Sequence, residues 1–223
     1  ETLSLSGSGT LVNKNVGQNK SVSLGTLRLV DAGSGSNAGL ASNYALTGSR
    51  TATITQAAIS TVSGITATNK IYDGTTTAVV SGGSIAALAG DVVSLSAAAN
   101  ANFSNKNVGT SKAVTTAYTL SGTDADNYNL VQASGLTANI TPKTLTASFI
   151  GSNKVYDAGT SATVTGNSSD VIGSDVVTFS QSAAFTNKNV GTGKTVNVTG
   201  INLGGADAGN YSLQSSTAIS IAN

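Results

Sequence analysis

Histidine, cysteine, methionine and tryptophan are absent from the 223 residues, proline occurs once, at Pro142, and aromatic side chains make up only 4%. Without His or Cys the chain lacks the usual general base, the thiolate nucleophile and the soft-metal ligands. An enzyme would have to work with Asp, Lys, Ser, Tyr and the single Glu1. No nucleophile and base stand together, so neither catalysis nor a cofactor is expected. Charge is scarce as well: 11 basic and 10 acidic residues leave a net charge of +1, too little for electrostatic capture of nucleic acid or a membrane surface. With no cysteine there is no disulfide framework from which to read a compartment, although such a chain suits export in an unfolded state. No run of eighteen apolar residues is present, and the start lacks the basic-then-apolar pattern of a signal peptide, which reads as a mature or excised segment.

What remains is rich in Ser, Thr, Gly, Ala and Asn, yet 39% of residues are hydrophobic. Val, Ile and Leu are placed regularly enough for a folded chain with small cores. The strongest signal is repetition. NKNVG stands at 13–17, 105–109 and 187–191, and each copy runs through GQNK, GTSK or GTGK into an apolar and polar alternation. NYAL, NYNL and NYSL carry Tyr44, Tyr128 and Tyr211, and NKIYDGTTTA at 69–78 returns as NKVYDAGTSA at 153–162. The spacing gives a partial unit at 1–57, corresponding to the C-terminal portion of a repeat, and full units at 58–143 and 144–223. Connectors such as ITQAAI and ITPKTL have no flexible Gly/Ser tract, which favours stiff stacking.

The local pattern points to strands. KTVNVTG at 194–200 alternates Val196 and Val198 with polar residues, and SVSLGTLRL at 21–29 does the same with Val22, Leu24, Leu27 and Leu29. DVVSL and DVVTF are short β-rich runs after turn residues; only SIAALAG at 84–90 is a candidate for a helical turn. About seven strands per full unit suit a small β-sandwich. The fold class expected is all-β, with tandem immunoglobulin-like sandwich repeats stacked into a rod.

Each motif has a plain structural reading. Asn and Gly tolerate positive φ and close tight turns, so NKNVG reads as strand, turn, strand. An isopeptide bond from Lys14, Lys106 or Lys188 to an Asn would need a buried acid beside the lysine, and no equivalently placed Glu exists. GTGKT at 191–195 resembles the tail of a phosphate-binding loop, but Lys188 stands where its first glycine belongs and a strand pattern follows. Asp124, Asp126 and Asp207 are hard oxygen donors and the only metal candidates; with too few companions for calcium, they read as Asx turns. Asp73 and Asp157 read as turn caps. Tyr44, Tyr128 and Tyr211, just after an Asp/Gly corner, resemble the tyrosine corner of sandwich domains and are assigned as core anchors.

KIYDGTTTA, FSNKNVGTSKAVT, LSGTDADNYNL and ANITPKTL, with their counterparts, resemble the YDG-type repeat domain of very large bacterial surface and secreted proteins, of the filamentous-haemagglutinin and biofilm-adhesin type. YDAG at 156–159 departs from YDG and reads as a turn longer by one residue. The resemblance implies a non-catalytic stalk segment outside the cell or on its surface, whose partners are neighbouring repeats, and it brings no catalytic or ligand residues. The alternative is a carbohydrate- or protein-binding module acting through its loops. Residues 1–57 lack a YDG strand, so an open sheet edge there is a site for homo-association, up to filaments. Short connectors and strands of about 25 to 30 Å per unit lead to the first expected outcome: small-angle scattering should report a rod on the order of 100 Å long, and a compact sphere would contradict the stalk reading.

Overall fold

The computed structural model describes residues 2–96 and 100–223. The chain is all-β, with nine small sheets among the described residues and single 3₁₀ turns in place of longer helices. Among the described residues seven strands lie between Lys143 and Ala222, and eleven, shorter on average, lie between Ala57 and Thr141. SIAALAG is not helical: it runs extended into a turn closed by the Asp91 N–H on Leu88 O (3.1 Å).

Two compact units divide the chain. One comprises Glu1–Ser63, Gly83–Ala97 and Tyr118–Gln132; the other comprises Gly64–Gly82, Ala98–Ala117 and Ala133–Asn223. They cut across the sequence repeats. The middle repeat gives its DVVSL and DADNY segments to the first unit and its YDG, NKNVG and ANIT segments to the second.

Within the first unit, Thr10–Leu11, Gly17–Ser23 and Thr51–Ile54 form a three-stranded antiparallel sheet. Leu3–Ser6 pairs with Arg28–Asp31, Ser94–Ser96 pairs with Thr119–Ser121, and Ala57–Ile59 runs parallel to Tyr128–Leu130. No apolar residue before Ile59 is buried among those described.

The second unit holds a five-stranded sheet in the order Lys70–Ile71, Thr137–Thr141, Gly109–Thr115, Ala101–Phe103 and Thr77–Ala78. Its two outer strands come from the YDG segment, and they have no counterpart in the three-stranded sheet. Thr137–Thr141 buries Ala138 and Ile140 on one face, as the period of two requires. Pro142 follows, unable to donate to a ladder, and there the chain changes partner: Lys143–Leu145 pairs in parallel with Tyr211–Leu213. A third sheet joins Thr178–Phe185, Lys194–Gly204 and Thr217–Ala222. Val196 and Val198 are fully buried there, and a register shift opposite Gly200 (φ +63°) turns Ile201 to the same side. One inserted residue thus resets the alternation.

Two apolar clusters result. Tyr72, Phe103, Val114, Ile140, Leu145 and Tyr211 form one; Phe149, Phe185, Val196, Val198 and Ile201 form the other. The first takes residues from both full repeats, with Leu145 (0% exposed) just past the proline where the chain changes sheets. Replacing Leu145 by Ala should therefore cost about 3 kcal/mol through lost burial and an unfilled cavity, measured as a lower urea midpoint.

Candidate functional site

All three NKNVG segments close in the same way. The first Asn side chain accepts from the backbone N–H two residues on: Asn13 from Asn15 (3.0 Å), Asn105 from Asn107 (3.0 Å) and Asn187 from Asn189 (3.1 Å). The same oxygen takes the ammonium of the lysine seven residues later, Lys20, Lys112 or Lys194. An Asx turn and a lysine strap therefore hold the loop, and the middle lysine of the motif is left to project away. The strand after the turn needs a left-handed residue, which is Asn19 (φ +52°), Ser111 (φ +48°) or Gly193 (φ +58°). GTGKT thus holds the left-handed Gly193 and the lysine strap of a turn, and is not a phosphate loop.

The projecting lysine meets a pair of aspartates from the next repeat. In the first unit Lys14 Nζ binds Asp91 Oδ1 and lies 2.8 Å from Asp124 Oδ1. In the second, Lys106 Nζ lies 2.9 Å from Asp175 Oδ1 and 3.8 Å from Asp207 Oδ1. Asn completes the match. Asn127 Oδ1 accepts from the Val16 N–H (2.8 Å) and Asn210 Oδ1 from the Val108 N–H (3.0 Å). Their amides donate back to Asn15 and Asn107.

The acidic side is built as a clamp. Val92 N–H donates to Asp124 Oδ2 (2.9 Å) while Asp124 N–H donates to Val92 O (3.2 Å); Val176 and Asp207 repeat this at 2.9 and 3.1 Å. Glycine allows the approach, since a Cβ on Gly122 or Gly205 would sit 2.3 Å from the oxygen of Val92 or Val176. Tyr128 and Tyr211, both buried, donate to Asp91 and Asp175 (2.7 Å each) and accept from the N–H of Leu88 (3.0 Å) and Ile172 (2.9 Å). In the second unit Tyr72 adds a further donor to Asp175 at 2.7 Å and packs edge-on to Tyr211, with centroids 5.4 Å apart. Lys106 lies over the Tyr72 ring.

These contacts set the charge states. Burial pushes the Asp175 carboxyl up, but the Lys106 ammonium and the Tyr211 and Tyr72 hydroxyls together hold it below the usual carboxylate range. The Lys14 ammonium and the Tyr128 hydroxyl hold Asp91 low. Asp175 keeps Lys106 protonated beyond the usual lysine range, and burial pushes Tyr211 up to about 12. The arrangement is an ion pair; amide formation between Lys and Asp would need both partners neutral.

Of the candidate metal donors, Asp124 and Asp207 sit in the clamp, where a lysine ammonium supplies the positive charge, and Asp126 lies in the 3₁₀ turn Ala125–Asn127, its carbonyl accepting from Gln56. No group of three or more His, Cys, Asp or Glu gathers among the described residues. Asp73 accepts from Thr75 N–H (2.9 Å) and Asp157 from Gly159 N–H (2.9 Å), each also bound by a lysine three residues back. YDAG is not a longer turn. Ala158 (φ +62°) takes the left-handed place of Gly74 (φ +77°), so the loop length is unchanged. Tyr44 departs from its two counterparts: it is 50% exposed, because residues 33–41 extend the corner before it and Asp31 turns to the Ala41 N–H instead.

A family profile described as the YDG domain matches residues 55–135 and 141–218, well over half of the chain. The chain belongs to the YDG domain family. No curated protein and no solved structure gives a match. The two YDG segments matched contain both acidic clamps, whereas Lys14 reaches Asp91 and Asp124 from outside the matched residues.

The clamp predicts how YDG repeats respond to pH. Asp175 and Asp91 have depressed pKa values, so their stabilisation is present above about pH 4 and is lost as pH falls below it. Tyr211 is raised, so its share is intact below pH 10 and drains away as pH climbs from 10 to about 12. The urea midpoint should be flat between about pH 5 and 9 and fall on both sides. Asp175→Ala orphans two hydroxyls and an ammonium and should lower stability at pH 7 by about 3 kcal/mol.

Proposed function

We propose that this chain is a non-catalytic structural segment, a run of YDG repeats that serves as a stalk or scaffold in a bacterial cell-surface or secreted adhesin. The observation that supports it is the duplication of one connection: Lys14 and Lys106, in equivalent turns, each bridge two aspartates of the following repeat. In both copies the polar side chains gathered at the clamps are engaged with one another. A site meant for a ligand would leave donors and acceptors directed at solvent.

The extracellular setting and the adhesin context are part of this proposal, and what supports them is the resemblance to the YDG repeats of large surface and secreted proteins. Neighbouring repeats are the partners in this reading, with homo-association through residues 1–57, where the three-stranded sheet lacks the two outer strands of its five-stranded counterpart. A glycan array separates this from a carbohydrate-binding module. The chain should give no saturable binding to any glycan; a saturable, competable signal would overturn the stalk reading.

A further inference from the structure

The third NKNVG turn is closed by the same Asx bond and the same lysine strap as the other two. Its outward face, however, has no partner among the described residues. Lys188 makes no ion pair, and the Val190 N–H and the Asn189 side chain meet no counterpart of Asn127 or Asn210. Tyr156 is 57% exposed where its equivalent Tyr72 is 2% exposed, and Val190 is 88% exposed where Val108 packs against the core. With Val155 and Gly191 these residues line a depression of about 250 Å³.

We propose that this face is a docking surface for the acidic half of a further YDG repeat, an inference that rests on the structural-repeat reading above. The occupant would bring two aspartates to Lys188, an asparagine to the Val190 N–H and the Asn189 amide, and a tyrosine beside Tyr156. Two examples within the chain specify the ionic and asparagine contacts, one around Lys14 and one around Lys106, and the second also sets a tyrosine, Tyr211, beside Tyr72. Charge is complementary, one ammonium against two carboxylates. A small anion fits the face poorly, because the other lysines of the depression are already held: Lys154 by Asp157 and the Gly159 and Ser161 carbonyls, and Lys194 by Asn187. An apolar partner would strand the Lys188 charge.

The test is to extend the full chain after Asn223 with a second copy of residues 140–223, the appended counterpart of Tyr156 being changed to Phe so that only the original tyrosine reports. Tyrosine nitration, read by mass spectrometry, should modify Tyr156 readily in the unextended chain and at least about tenfold more slowly in the extended one, approaching the protection of Tyr72. Lys188→Glu, at an exposed position, should restore Tyr156 reactivity in the extended chain while Tyr72 stays protected. Unchanged Tyr156 reactivity on extension, with Tyr72 protected, would overturn the proposal. So would protection in the unextended chain that rises with its concentration, since a second copy would then be the occupant. Either result leaves the stalk reading standing, and saturable glycan binding would remove that reading without touching this measurement.

Discussion

A lysine ammonium held by two carboxylates of the next repeat is the contact on which the connection between repeats depends. Its worth does not come from Coulomb attraction across a surface, which is small for exposed pairs. Asp175 is nearly buried, and a buried carboxylate is costly unless every oxygen is satisfied. Lys106, Tyr72 and Tyr211 satisfy it together, and they come from two different repeats. Removing any one leaves the others with an unmet polar group, so the carboxylate makes the arrangement all-or-none. Such a contact fixes register: a slipped pairing would bury Asp175 without its ammonium.

The same logic explains how a chain with 4% aromatics keeps a core. Tyr72 and Tyr211 meet edge-on, and each turns its hydroxyl to the one carboxylate. Their rings close the apolar cluster around Ile140, Leu145 and Phe103 while their polar ends complete the clamp. Apolar and polar sides of the connection are therefore carried by the same residues. Around Lys14, where the repeat lacks a YDG segment, the extra tyrosine is missing and the surrounding apolar residues stay largely exposed.

Much of this was legible in the sequence, because turns and strands are local. NKNVG as a turn between strands follows from Asn and Gly, although the positive φ expected within it falls two residues past its end, at Asn19, Ser111 and Gly193. The alternation at Val196 and Val198 gives their burial, and Tyr128 and Tyr211 after an Asp corner point to buried rings with bonded hydroxyls. The clamp was not legible, because its members are far apart: 77 residues separate Lys14 from Asp91 and 69 separate Lys106 from Asp175. Asp91 and Asp175 looked like turn residues before a β run. A signal did exist. With only 9% of residues charged, a lysine and an aspartate retained at matching places in successive copies need a common reason, and pairing across copies supplies it. Tyr44 misled for the opposite reason, since a shared NY motif says nothing about the nine-residue stretch inserted before it.

A connection made this way also suits a repeat whose turn is unpartnered. Had the repeats met through a purely apolar face, the third turn would expose a sticky patch to any hydrophobic surface. Lys188 and Asn189 are instead exposed to solvent, and they line the open face together with Val155 and Val190. Desolvating Lys188 is favourable only against a partner with carboxylates at the right spacing, so the face discriminates against wrong partners by the penalty it imposes on them. The specificity of the turn thus resides in a charge that is stable in solvent and costly to bury anywhere except opposite its own acidic clamp.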